Sequence, residues 1–335
     1  MSHDLFFHEG NGMPRKPAKG KWKSTVGTVA LVLVFLLGLS AFLYPLASNA
    51  LYQAEQRKDM ALYEESMRKQ ASKKNGNGDA SSSLLDEELE SARQYNANLL
   101  DYGAFLTDPF DESKIEDPTT EPYASLLNLD GDGLMGYVSI PAIGVDLPIY
   151  HGTKAETLAD GVGHLQPTSL PVGGKGTHAV LSAHTGVAGK KLFTDLDQLE
   201  QGDEFYIRVL NRTLAYKVDD IRTVLPEDVS SLSIERDKDY VTLVTCTPYG
   251  INDHRLLVKG VRTKYVPVRE KNTAKKNMVG GSWVSDYVTS VVIWTTVFAA
   301  AGVVVAIRRS AARRETQGRH LTRAPSGDKG KPHKG

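Results

Sequence analysis

Cysteine is close to absent from this sequence: the 335 residues hold one, Cys246. No disulfide can form within the chain, so any exported part must rely on core packing alone. A lone cysteine is either a small buried hydrophobe or a reactive thiol, and its neighbours decide which. Net charge is absent too, with 40 Lys and Arg against 40 Asp and Glu. That balance removes the bulk electrostatic reason to expect nucleic acid as a partner. Tryptophan occurs only at Trp22, Trp283 and Trp294, all at or in apolar runs, where an indole reads as an interfacial anchor. Metal and phosphate motifs are missing as well. Asp130-Gly-Asp132-Gly133 opens like a calcium loop, but its twelfth position is Pro141 rather than Glu, so calcium is not expected. Gly173–Thr177 lacks the spacing of a phosphate loop, and the histidines show no tight ligand spacing for zinc. There is no internal repeat.

What is present is an ordinary globular composition, 41% hydrophobic and 24% charged, with two apolar runs, Val26–Leu46 and Tyr287–Ile307. Each has about 21 residues, which as helix rise roughly 31 Å and match a bilayer core of roughly 30 Å. Ser48-Asn49-Ala50 is a passable small-residue cleavage site, so a removed signal peptide is the alternative to an anchor; the length of the run favours the anchor. Arg15, Lys16, Lys19, Lys21 and Lys23 precede the first run, and Arg308, Arg309, Arg313 and Arg314 follow the second. The positive-inside rule then puts both termini in the cytoplasm and residues 51–285 outside, although Arg269, Lys271, Lys275 and Lys276 oppose it.

The expected organisation is a basic cytoplasmic N-terminus (1–25), a transmembrane helix or signal anchor (26–48) and a helical and linker region (51–135). A β-rich domain (136–265), a juxtamembrane linker (266–286), a second transmembrane helix (287–307) and a basic tail (308–335) complete it. Within 51–135, residues 51–70 and Leu84–Leu100 read as helices separated by the Gly-, Ser- and Asn-rich stretch 71–83. The chain then runs acidic and Pro-punctuated to Pro122. From Gly136 short β-rich runs recur: 137–140, 145–150, 179–183, 204–209, 213–218, 221–225, 240–245 and 256–261. Phe205, Ile207 and Val209 alternate on one face, as do Leu214, Tyr216 and Val218 after an Asn211 turn, which is a hairpin signal. Short helical insertions are expected near 155–159 and 191–199. This pattern predicts an all-β, closed or nearly closed barrel.

Cys246 ends the run 240–245, and Thr247-Pro-Tyr-Gly250 must turn the chain before Arg255. If the two flanking strands are antiparallel neighbours, thiol and guanidinium share one sheet edge. A free thiol is only a few per cent thiolate at neutral pH, so a nucleophilic Cys needs a base or a positive field. Attack on a peptide carbonyl builds charge that a fixed Arg can stabilise, and the leaving amine needs a proton from a group such as His. Of nine histidines, His151, His164, His178, His184 and His254 lie between the apolar runs. Spacing alone favours His184, at a strand's exit, with His178 and His164 next.

Thr242-Leu-Val-Thr-Cys246 followed by Arg255 resembles the signature of sortases, the surface transpeptidases of Gram-positive bacteria, and Ser182-Ala-His184-Thr-Gly186 is similar to their histidine segment. The resemblance runs from about Gly136 to Val261. It implies an eight-stranded β-barrel with Cys246 as nucleophile, His184 as general acid/base and Arg255 as oxyanion or substrate support. It also implies cleavage of an LPXTG-like sorting signal between Thr and Gly, a thioester, and transfer to an amine, with no metal or organic cofactor. Partners would be pilins or surface proteins bearing such signals, together with membrane lipid. The second apolar run and Asp108-Pro109-Phe110 resemble the pilin-polymerising class C branch, in which an Asp-Pro-aromatic lid covers the site. Thr185 stands where Arg is common after the histidine of this family.

Overall fold

The computed structural model describes residues 21–72, 83–102, 105–187, 189–267, 270, 289–297, 300, 302–304 and 307. The expected cytoplasmic N-terminus up to residue 20, most of the 71–83 linker, the segment 271–288 and the basic tail lie outside the described residues.

The two helices expected over 26–48 and 51–70 are one. Helix α1 runs from Lys21 to Ser72 without interruption, passing through Pro45. Pro45 removes one intrahelical hydrogen bond near the expected boundary, yet the helix continues through it, and no glycine lies between Gly38 and its end to favour a break. Its N-terminal part is exposed and apolar and gives the one described helix long and apolar enough to cross a membrane. The described part of the second apolar run is a shorter apolar helix, Thr289–Val304. Beyond residue 48 the character of α1 changes. Asn49, Tyr52, Gln56, Tyr63 and Met67 are buried in steps of three, four and seven residues, the stripe of a helix lying along a surface. Helix α2 (Ser83–Tyr102) repeats the pattern with Leu85, Leu89, Ala92 and Asn96.

The eight strands are β1 (Leu134–Ile140), β2 (Val145–His151), β3 (Val162–His164), β4 (Thr177–Ser182), β5 (Glu204–Val209), β6 (Arg212–Val224), β7 (Asp239–Thr247) and β8 (His254–Thr263). They close into a barrel in the order β1-β2-β3-β4-β7-β8-β6-β5, leaving no free sheet edge. Only β2–β3 and β4–β7 are parallel pairs, and the short helix α3 (Ala155–Asp160) supplies the first crossover. Side chains alternate between the two faces of each strand. Ala179, Leu181, Val241, Leu243 and Val258 fill the interior with the main core. Val180, Val244 and Leu257 point outward and form a second apolar cluster with Leu165 and Leu232. That outer cluster is where the site is built.

Candidate active site

Register places the three residues singled out by sequence. Cys246 and Arg255 are direct partners across the antiparallel β7–β8 pair, so their side chains share one face. In the parallel β4–β7 pair Ser182 faces Val244, and two residues further on His184 comes level with Cys246. The order β4-β7-β8 therefore sets imidazole, thiol and guanidinium side by side at one end of the barrel. By alternation all three belong to the outward face that carries Val180, Val244 and Leu257.

Two local bonds hold this alignment where the ladder ends. The buried Thr245 hydroxyl donates to the Ala183 carbonyl at 2.7 Å, tying the residue before the thiol to the residue before the imidazole. The Phe193 N–H bonds the His184 carbonyl at 3.1 Å and folds the following loop back. Nothing in the sequence identified Thr245 as a strut, because only the register shows that its hydroxyl meets the neighbouring strand.

The stretch containing Asp108, Pro109 and Phe110 lies over the three. The Asp108 carboxylate takes a bidentate pair from Arg255, with Nε to Oδ1 at 2.8 Å and Nη2 to Oδ2 at 2.7 Å. Both side chains are nearly buried, 9% and 11% exposed, so this pair is far less screened than a surface one. A tight turn from Asp108 to Asp111, closed by the Asp111 N–H on the Asp108 carbonyl, has Pro109 at its second position, where proline's fixed φ fits. It turns Phe110 downward. The ring lies 5.7 Å from the His184 ring and 5.0 Å from the Arg255 guanidinium, and it packs with Leu106 on the outer cluster.

Burial dominates the electrostatics. It pushes the Cys246 thiol up, with the Arg255 cation opposing and the Asp108 carboxylate adding to the rise. Burial also pulls His184 below its ordinary value. Both shifts favour the uncharged thiol and imidazole while the loop is in place.

The other candidate histidines are structural. His178 faces outward on β4 but lies six residues before His184, about 20 Å along an extended strand. Its ring nitrogens are engaged by the Ser233 carbonyl at 2.9 Å and the Thr242 hydroxyl at 2.7 Å. His164 is fully buried between the Tyr123 hydroxyl at 2.8 Å and the Ser169 carbonyl at 2.9 Å. His254 pairs with its neighbour Asp253 at 2.8 Å, and both ring nitrogens of His151 lie on backbone carbonyls. Among the described residues no cluster of His, Cys, Asp or Glu has the arrangement of a metal site. The carboxylates of the Asp130–Gly133 turn are engaged by protein donors, Asp130 accepting from Ser66 of α1 and Asp132 from the Leu134 N–H.

Known proteins match both the barrel and its sequence. The model of the sortase domain matches residues 138–263. Sortase A of Bacillus anthracis is 29% identical over 161 residues, 48% of this chain and 74% of that protein. Among solved structures, sortase C-1 from Actinomyces oris is 47% identical with a TM-score of 0.51, covering 54% of this chain and 100% of its own. Streptococcus pneumoniae sortase C is 39% identical with a TM-score of 0.54, covering 62% of this chain and 97% of its own. A solved relative matched from end to end at nearly one residue in two does not leave room for a shared fold alone: this chain belongs to the sortase family of transpeptidases.

Proposed function

We propose that this chain is a membrane-anchored, class C sortase whose catalytic domain is extracellular. It cleaves an LPXTG-like signal between Thr and Gly, holds the Thr acyl group on Cys246, and passes it to a lysine amine of a pilin. The observation that supports this most is the bidentate Asp108–Arg255 pair with Phe110 against His184, a lid over an aligned thiol, imidazole and guanidinium. The sortase C relatives above add to it, including the Streptococcus pneumoniae structure described in terms of pilin substrate specificity. The apolar start of α1 supplies the anchor.

The roles follow from the chemistry. With the lid raised, the Cys246 thiol passes its proton to His184 and the thiolate attacks the Thr carbonyl carbon. Negative charge moves to the carbonyl oxygen, and Arg255, no longer occupied by Asp108, stabilises it. The tetrahedral intermediate collapses as the C–N bond breaks, and the protonated His184 donates to the leaving Gly amine. The thioester is then attacked by the incoming amine. His184 takes up the proton that amine loses, and the thiolate departs.

A second reading keeps this chemistry but uses a cell-wall peptide amine and anchors single proteins. The relatives named sortase A, with that of Bacillus anthracis among them, favour it. The full chain in detergent, an LPXTG-type peptide, a pilin domain with candidate lysines and a wall-peptide amine as competing acceptor separate the two by mass spectrometry. A Thr-to-Lys isopeptide, lost in Cys246→Ala, is the expected product. Cleavage with transfer only to a wall-peptide amine would establish the second reading, and a product formed equally by Cys246→Ala would overturn both.

A further inference from the structure

The direction of α1 relative to the strands fixes which end of the barrel meets the bilayer. Strands β4, β6 and β7 end, and β8 begins, at the end that carries Cys246. Helix α1 touches the barrel first at that same end. Asn49 accepts the Lys191 N–H at 3.1 Å, and Ser48 packs against Gly189 so closely that a Cβ has no room there. One turn on, the Tyr52 hydroxyl and the Gln56 amide both donate to the Asp160 carbonyl, at 2.9 and 3.1 Å. Asp160 sits just before β3, whose Gly163 faces Ser182. Further along α1, Tyr63 donates to the Met135 carbonyl and accepts the Leu210 N–H, at the start of β1 and the far end of β5. The helix thus runs away from the catalytic end as the chain proceeds, and its apolar stretch projects past that end. That stretch stops at Leu46, three residues before Asn49, which is about 4.5 Å of helix.

The surface of the barrel agrees. Between residues 134 and 263 the large hydrophobic side chains described as exposed are Leu225, Tyr249 and Ile251, at 56%, 70% and 68%. All three lie at the catalytic end: Leu225 follows the Val224–Arg255 pair that closes β6, and the other two are on the β7–β8 turn. The Tyr249 ring lies against Gly186, in the same loop whose Gly189 meets Ser48. One loop therefore joins the apolar rim to the anchor helix and starts at His184.

We propose that the catalytic end faces the membrane, with Leu225, Tyr249 and Ile251 seated in the interfacial zone of the bilayer that holds α1. This rests on the reading of α1 as a membrane anchor. Tyrosine and aliphatic side chains on a tethered rim match the interface in chemistry. Glu227 and Asp253 flank the rim, so the contact is apolar and does not depend on anionic lipid.

Because the chain has one cysteine, Cys246→Ala gives a cysteine-free background for spin labels in the full chain in phosphatidylcholine nanodiscs. Labels go at Ile251→Cys, at Asn211→Cys on the opposite end, and at Val34→Cys in the apolar part of α1. The ratio of oxygen to nickel-chelate accessibility by power saturation is expected to be several-fold higher at 251 than at 211, and unchanged by high salt. A lipid-like ratio at 34 with a water-like ratio at 251 would overturn the proposal and leave the anchor standing. A water-like ratio at 34 would overturn the anchor itself and this inference with it.

Discussion

Removing the Asp108 carboxylate should make the Cys246 thiol react much faster, and the size of the effect can be worked from the latch. With both partners nearly buried, Asp108→Ala removes two charge-assisted hydrogen bonds and leaves the Arg255 cation unpaired under the lid. Such a loss costs the closed state about 2–3 kcal/mol. At about 1.4 kcal/mol per factor of ten, the open population rises roughly 30- to 150-fold. Phe110→Ala removes a partly buried ring and its contact with the guanidinium, about 1.5–2 kcal/mol, or roughly 10- to 30-fold. Both side chains touch Arg255, so the double variant should fall short of the product. The assay is alkylation by iodoacetamide over a range of pH. If the lid opens faster than the thiol reacts, the rate follows the open population. The pH profile carries a second signature. The Asp108 carboxylate helps to raise the thiol's pKa, behind the larger effect of burial. Its removal therefore moves the half-rise in rate to lower pH, and opening moves it the same way. A rate and a pH profile unchanged in both single variants would refute the lid.

Two further predictions concern stability. His164 and His178 are both held down to about 4 by burial, against an ordinary value of 6.5 in the unfolded chain. The unfolded chain therefore binds more protons below that value, and stability falls as pH drops through the window from 6.5 to 4, on the order of 3 kcal/mol per histidine by its lower limit. Thermal melting at pH 7 and pH 4.5 should show the loss, and His178→Gln should reduce its slope; a pH-independent melting temperature would contradict the assignment. The Asn96 amide clamps Leu170 across the α2–barrel seam, donating to its carbonyl at 3.0 Å and accepting its N–H at 2.7 Å. Asn96→Ala should cost about 2–4 kcal/mol by stranding two buried backbone groups, readable by urea denaturation; a loss of under a few tenths would show the seam to be solvated.

The barrel was legible because seven of its strands stand out as β-rich runs, with clear alternation at 204–209 and 213–218, but the eight runs do not correspond one to one with the eight strands. Residues 213–218 and 221–225 read as separate strands because Asp219-Asp220 interrupts the apolar pattern. In the structure an irregularity between Val218 and Asp220 absorbs the extra residue, and β6 continues to Val224. Conversely, β3 is three residues long, too short for periodicity to register. The expected helix at 191–199 shrinks to one 3-10 turn at Leu196–Gln198. At the site, the Cys246–Arg255 pairing was readable because a single turn separates two strong strands. The level of His184 was not, since it depends on a parallel register between segments more than sixty residues apart. The roles of Asn49, Tyr52 and Thr245 are tertiary too: each acts through one hydrogen bond to a distant carbonyl or amide, and no local pattern encodes that.

The covered, uncharged thiol has a consequence for the lifetime of the protein. On the proposed extracellular placement a thiolate would be open to oxidation, and the first product, a sulfenic acid, is rescued when a second cysteine condenses with it. This chain has no second cysteine, so a sulfenic acid at Cys246 would persist until an external thiol reduced it or further oxidation destroyed it. The proposed lid, by keeping the sulfur protonated and screened, would confine that exposure to the intervals in which substrate is engaged. On that reading the cost of the latch in turnover would be offset by a reserve of enzyme that stays reducible and competent in oxidising surroundings.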